Sequence, residues 1–247
     1  MLNSITAASY MLRGLKLITE PVLRRFVIIP FIINLLIFTG IVWLSSHYLD
    51  QLMQWITQHL PGWLHWLQWL LWLLFGLVGI VVVFYSFTTF ANLIAAPFNS
   101  LLAERVELYL TGHAPPTATG WWDILQAIPV ALLRQIKLLI YYLLRSVVLW
   151  VLMFIPVVHI FAVVAWFLFT AWMACLQYMD YPMDNHHISI IDMRKLLAQK
   201  RVSALGFGTM TMLFTMVPVL NFFAMPAAVA GATLFWVEEF KSLGNKE

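Results

Sequence analysis

Long apolar runs over residues 26–46, 66–96, 146–179 and 202–237, set between short charged groups, give this chain its pattern. The run Phe26 to Ser46 is free of charge over about 21 residues, which at about 1.5 Å per residue reaches about 31 Å and matches the hydrocarbon thickness of a bilayer. With Pro21 suited to a first helical turn, this predicts a transmembrane helix within residues 21–60. The segment His47 to His65 carries Asp50 but no Lys or Arg. It holds Pro61-Gly62 and the aromatics Tyr48, Trp55 and Trp63, as expected of an outward-facing turn. A second, longer transmembrane helix is expected over residues 62–96.

The later runs are interrupted by proline. Pro156 leaves an arm of about 10 residues after Arg145, or about 15 Å, and Pro218 leaves arms of about 16 residues, or about 24 Å. Both lengths fall short of a bilayer, so residues 125–180 and 205–240 are expected to form helical hairpins that enter the membrane without crossing it. Their tips, Phe154-Ile-Pro-Val-Val-His159 and Met216-Val-Pro-Val-Leu-Asn221, are alike enough to hint at a structural repeat.

The remaining segments are polar or amphipathic. Within residues 1–20, Ile5, Ala8, Leu12, Leu15 and Ile18 recur at helical spacing, as in an interfacial helix lying on the membrane surface. Residues 97–124, with Glu104, Arg105, Glu107 and the loop Gly112 to Gly120, read as a cytoplasmic projection. Residues 181–204, with Asp192, Arg194, Lys195, Lys200 and Arg201, read as a cytoplasmic segment. Every Lys and Arg then lies on the inner side, with both termini there as well. The expected fold class is an all-α integral membrane protein: two long transmembrane helices, two partly inserted helical hairpins and an N-terminal interfacial helix.

Composition supports this. At 62% hydrophobic and 10% charged residues, with a mean hydropathy of +0.87, the chain cannot hide its apolar surface in one water-soluble core. The net charge of +3 is small and scattered, which argues for topology signals and against nucleic acid as a partner. Cys175 is the only cysteine, so no disulfide framework exists. The N-terminus lacks the pattern of a cleaved signal peptide, and the first apolar segment is expected to be retained.

Candidate chemistry is sparse. Arg24 and Arg25 follow Pro21 at what reads as a helix N-terminus, where amides and macrodipole are already positive; a bound anion would satisfy both, while plain cytoplasmic anchoring is the other reading. Asp180, Asp184, His186 and His187 match no standard metal-ligand spacing, and Asp180 beside Tyr181-Pro182 is read as organising a turn. Ser100 has no histidine close in sequence, and no nucleophile elbow or phosphate loop is present, so neither an enzyme nor a cofactor or metal is expected. Gly206, Gly208 and Gly231 read as sites of close helix packing. Asn34 and Asn221 are amides deep in apolar runs, and with Glu104, Arg105 and Glu107 they are the candidate pore residues.

Several of these motifs occur together in order. Gly14-Leu-Lys-Leu-Ile18 with Arg24-Arg25, Ile94-Ala-Ala-Pro-Phe-Asn99, Tyr178-Met-Asp-Tyr-Pro182, and Pro218-Val-Leu-Asn221 through Pro226 to Ala232-Thr233 resemble the bacterial CysZ sulfate transporter family over nearly the whole chain. The resemblance implies sulfate uptake across the bacterial inner membrane for cysteine biosynthesis, with two full spans, two partly inserted hairpins and assembly into dimers or larger homo-oligomers. It places sulfate binding on Gly14, Leu15, Lys16, Leu17, Ile18, Arg24 and Arg25. From the residues alone, a channel or permease and a membrane interaction or assembly protein with anchoring arginines both remain open.

Overall fold

The computed structural model describes the backbone of residues 2–116 and 121–240, and the side chains among these except at residues 2–7, 88–96, 121–128 and 130–131. The end of the predicted 112–120 loop, the Ile5 position and the side chains of Ile94 to Ala96 lie outside the described residues. Every long element is helical: α1 (Leu2–Leu17), α2 (Arg25–His59), α3 (Gln68–Thr111), α4 (Trp121–Leu152), α5 (Val158–Asp184), α6 (Ile190–Gln199), α7 (Arg201–Met216) and α8 (Pro218–Glu239). Among the described residues, five stretches, in α2, in Gly62–Phe87, in Leu132–Leu152, in α5 and in α8, are long and apolar enough to cross a membrane. The chain divides into two compact units, Ile28–Ala96 and a second made of residues 1–27 with 97–247.

In the first unit α2 continues through His47 to His59, so the expected outward turn shrinks to residues 60–61 and a 3-10 turn over Gly62–Leu67. Asp50 and the histidines do not end the helix because its ladder is already running and their side chains point outward. Thr57 accepts a 2.8 Å hydrogen bond from Gln68 and fastens the turn. Leu36, Trp43, Ile80 and Tyr85 are all more than half exposed, as expected of helices whose surroundings are lipid.

The second unit holds the packed core. α1 lies along α8 and α7, and α5 packs on α7 and α8. The interfacial reading of residues 1–20 is therefore corrected. Tyr10, Met11, Gly14 and Ile18 face the core, whereas Leu12, assigned by spacing to the apolar side, is 50% exposed. The reason is steric. A Cβ on Gly14 would collide with the Ala227 carbonyl oxygen and lie 2.5 Å from the Gly231 nitrogen, and one on Gly231 would lie 2.6 Å from the Tyr10 carbonyl oxygen. Gly208 meets the Ala171 backbone in the same way, with a Cβ falling 2.7 Å from its carbonyl carbon. Small residues let the helix backbones touch.

The first hairpin differs from its predicted dimensions. α4 has 32 residues and α5 has 27, so each exceeds about 40 Å, because Arg134, Lys137 and Arg145 are carried inside a continuous helix and do not bound its arm. In the second hairpin α7 has 16 residues, about 24 Å, as expected. The two tips, similar in sequence, turn differently. Val157 takes φ 71°, a left-handed conformation unusual for a β-branched residue, whereas Val217 is extended at φ −91° and Pro218 opens α8 directly. Residues 181–184, expected to open the cytoplasmic segment, complete α5 with Pro182 inside the helix.

Five threonine hydroxyls in the apolar helices are satisfied within their own helix: Thr39 donates to Leu35, Thr57 to Met53, Thr170 to Trp166, Thr211 to Phe207 and Thr233 to Val229, each through the carbonyl four residues back, whereas the Ser146 Oγ is buried without a partner.

The α1–α8 contact gives a direct expectation. Gly14→Ala loses about 1 to 3 kcal/mol through overpacking, read as a lower unfolding temperature in detergent, while Gly40→Ala, whose Cβ meets nothing within 4 Å, leaves it unchanged. Equal melting of the two variants sinks this account of the core.

Candidate functional site

The segment joining α1 to α2 is a series of tight turns, and this corrects the helix start placed at Pro21. Ile18, Thr19, Glu20, Leu23, Arg24, Phe26 and Val27 each donate a backbone N–H to a carbonyl three or four residues earlier. Helix α2 begins only at Arg25. The row of free amides expected beyond Pro21 is thereby mostly consumed. Among the described residues of this segment, the N–H groups of Val22 and Arg25 are the ones not given to a backbone carbonyl. Arg24 and Arg25 are both exposed, and neither has a carboxylate within ion-pair distance among the described residues.

Phe26 brings a third arginine to this place. Its ring lies beneath the Arg25 guanidinium at 5.1 Å and beneath that of Arg105, on α3, at 5.7 Å. Arg105 is only loosely held by its neighbour, since its Nε is 3.7 Å from Glu104 Oε1, too long for a hydrogen bond. That Nε is buried with no hydrogen-bond partner. A guanidinium that is partly withdrawn from water and lacks a full complement of acceptors is suited to a tetrahedral oxyanion, which presents several.

Behind Arg105 stands a buried polar layer on α3 and the end of α5. Glu104 is 5% exposed and Glu107 fully buried. Glu107 accepts at 2.9 Å from His186 Nε2 through either oxygen. Asn99 donates to Tyr181 at 3.2 Å, and Ser100 donates to Asn185 at 2.8 Å. Burial pushes the Glu104 carboxyl above its ordinary range, and the nearby Arg105 charge opposes that only in part.

The other predicted residues are dispersed. Gly14 is a packing position, Ile18 is in the core, Leu15 and Leu17 are half-buried, and Lys16 is exposed. Lys16 and Leu17 share a 240 Å³ pocket with Arg13, Glu20, Leu110 and Leu234. Asn221 is exposed near the tip of the second hairpin, one turn into α8. Asn34 belongs to the other compact unit, where its Oδ1 is buried without a partner.

Some roles were not visible in the sequence. Arg134 Nε and Nη2 donate to Asp180 Oδ1 at 3.0 and 2.7 Å, Nη1 lies 2.8 Å from Asp184, and Nη1 also donates to the Ile188 carbonyl. Asp180 thus holds an ion pair inside a helix and does not organise a turn. His186, weighed as a possible metal ligand, is the partner of Glu107 and lies against Trp236 at 5.2 Å. A sequence separation of 46 between Arg134 and Asp180 left no local signal for their pairing. For Phe26 the signal was its position directly after two arginines.

Comparison with known proteins gives a family and near relatives. The family described as Sulfate transporter CysZ/Etoposide-induced protein 2.4 matches residues 10–226. A protein of Pseudomonas fluorescens (strain Pf0-1) named Sulfate transporter CysZ is 43% identical over 235 residues, covering 95% of this chain and 94% of the relative.

The buried Glu104 has a measurable signature. Its folded carboxyl binds a proton more tightly than the unfolded one, so stability falls as pH rises from the ordinary carboxylate value through the raised one. Glu104→Gln is therefore expected to raise the unfolding temperature relative to the parent at about pH 7 and by less at about pH 4. A difference that is the same at both pH values would remove the desolvated carboxylate from this site.

Proposed function

The chain belongs to the Sulfate transporter CysZ/Etoposide-induced protein 2.4 family, and on that basis we propose that it carries sulfate across the bacterial inner membrane as a channel or permease, supplying sulfur for cysteine biosynthesis. The observation that carries the reading is the Phe26 ring set under two guanidiniums from different helices, with Arg24 exposed beside them. A doubly charged tetrahedral anion matches this group in charge and in the number of acceptors it offers. Arg24 and Arg25 form the first sulfate contact, next to the Gly14 to Ile18 segment, and Arg105 takes the anion from the side of α3.

Past Arg105, Glu104 and Glu107 are the inner pore candidates of the same unit, and Asn221 is a further one near the hairpin tip; Asn34 is a separate candidate within the first unit. Acidic groups beside an anion path lower its affinity, and a conducted ion must be able to leave. We infer further that the protein works as a homo-oligomer, with subunits packed through the exposed apolar helix faces, and that the Lys and Arg distribution keeps both termini cytoplasmic. Crosslinking in mild detergent that returns monomer alone at all concentrations contradicts that assembly.

Two measurements test the transport reading. In isothermal titration, Arg24→Lys/Arg25→Lys is expected to weaken sulfate binding by about 1 to 3 kcal/mol per arginine while membrane insertion is kept, because ammonium lacks the planar fork. Unchanged affinity returns these arginines to topology anchors. In liposomes holding only this protein, labelled sulfate should enter, and Asn221→Leu or Glu107→Ala should slow it. Absence of flux in the parent protein favours a membrane interaction or assembly role.

A further inference from the structure

α4 carries a second basic group that the sulfate reading does not use. Lys137, Tyr141 and Arg145 follow at four-residue steps and so share one side of the helix. Across from them α6 delivers Arg194, whose guanidinium lies 3.9 Å from the centre of the Tyr141 ring, and the Arg145 guanidinium lies 5.7 Å from the same centre. The ring is itself held in place, edge-on to Phe169 at 6.3 Å.

Among the described residues, none of the three cations is paired with a carboxylate. The nearby carboxylates are committed elsewhere: Asp180 and Asp184 to Arg134, and Asp192 to Lys195 at 3.0 Å and to the Ser189 hydroxyl. Arg145 is exposed and lies within Leu132–Leu152, a stretch apolar enough to span a membrane. Leu133, Ile136, Ile140, Leu144 and Val148 form an exposed apolar stripe along the same helix.

We propose that Arg145 and Arg194, stacked about Tyr141, bind the phosphate headgroup of an anionic phospholipid whose acyl chains lie along the apolar stripe of α4. A cation in a lipid-facing run needs a counter-charge, and here the described residues supply none. Stacking on the ring fixes each guanidinium while leaving its edge N–H groups free for phosphate oxygens. The adjoining exposed Leu and Val side chains set the occupant as a lipid rather than a free anion. Lys137, one turn away, adds long-range attraction.

The test uses the purified full chain in mixed micelles with equal mole fractions of phosphatidylglycerol and phosphatidylcholine, with retained lipid counted by native mass spectrometry. The parent protein is expected to hold phosphatidylglycerol about tenfold better than phosphatidylcholine, and Arg145→Gln/Arg194→Gln to lower its retention by about tenfold. Arg24→Gln/Arg25→Gln should retain it like the parent, which keeps this result separate from sulfate binding. If the double glutamine protein does not fold, Tyr141→Leu, which keeps every charge, should also lower retention. Equal retention of the two lipids by the parent, undiminished phosphatidylglycerol in the folded variants, or its displacement by millimolar sulfate overturns the proposal.

Discussion

The contact of α1 with α8 is a meeting of backbones, and most of the second unit depends on it. Gly14 and Gly231 leave no room for a Cβ on either side, so the two helices are locked in both register and distance. Once they are locked, Tyr10 stacks on Phe235 at 5.0 Å and Arg13 donates to Glu238 at 3.0 Å. Lys200 reaches the end of the same helix through the Glu239 carbonyl at 3.0 Å. The first and last described helices are thereby joined by packing at the centre and by charge at one end. Because α1 is fixed, so is the run of turns that follows it. Arg24 and Arg25 are consequently carried on a segment anchored to the core.

The polar groups of this unit are sorted by how completely they are neutralised. Arg134 is enclosed by two aspartates and a carbonyl, which ties α4 to α5 and leaves it no spare capacity. Burying such a pair is costly unless the geometry is good, and here the donors are directed at the acceptors. The guanidiniums around Phe26 are the opposite case, held by an aromatic face and short of acceptors. An arginine satisfied by the protein holds helices together; one left unsatisfied is available to a solute.

Much of the architecture was legible because lipid imposes a simple rule: long runs without charge become helices, and α2 and the apolar part of α3 followed it. Where the reading went wrong, a charge or a proline was taken as a boundary. Asp50 and Pro182 both sit inside helices whose ladders continue past them, and Arg145 was counted as the end of an arm that runs through it. The α1 error has a different origin. Spacing alone assigned Leu12 to the apolar side, but the face chosen was the one with Gly14, where a missing side chain matters more than a hydrophobic one. At the site, Arg24 and Arg25 were visible as a local oddity. The approach of Arg105 to Phe26 and the pairing of His186 with Glu107, 79 residues apart, depend on tertiary packing that no local pattern records.

The threonines of the apolar helices have a consequence for how those helices meet a polar solute. Each of these hydroxyls spends its proton on a carbonyl of its own helix, so an ion passing by would have to break that bond before gaining a donor. They are electrically quiet, and a helix can carry many of them without offering a foothold to an anion or to water. Such a surface offers few footholds: solvation is confined to the places where a polar atom has been left over, as at the Asn34 Oδ1 and the Ser146 Oγ.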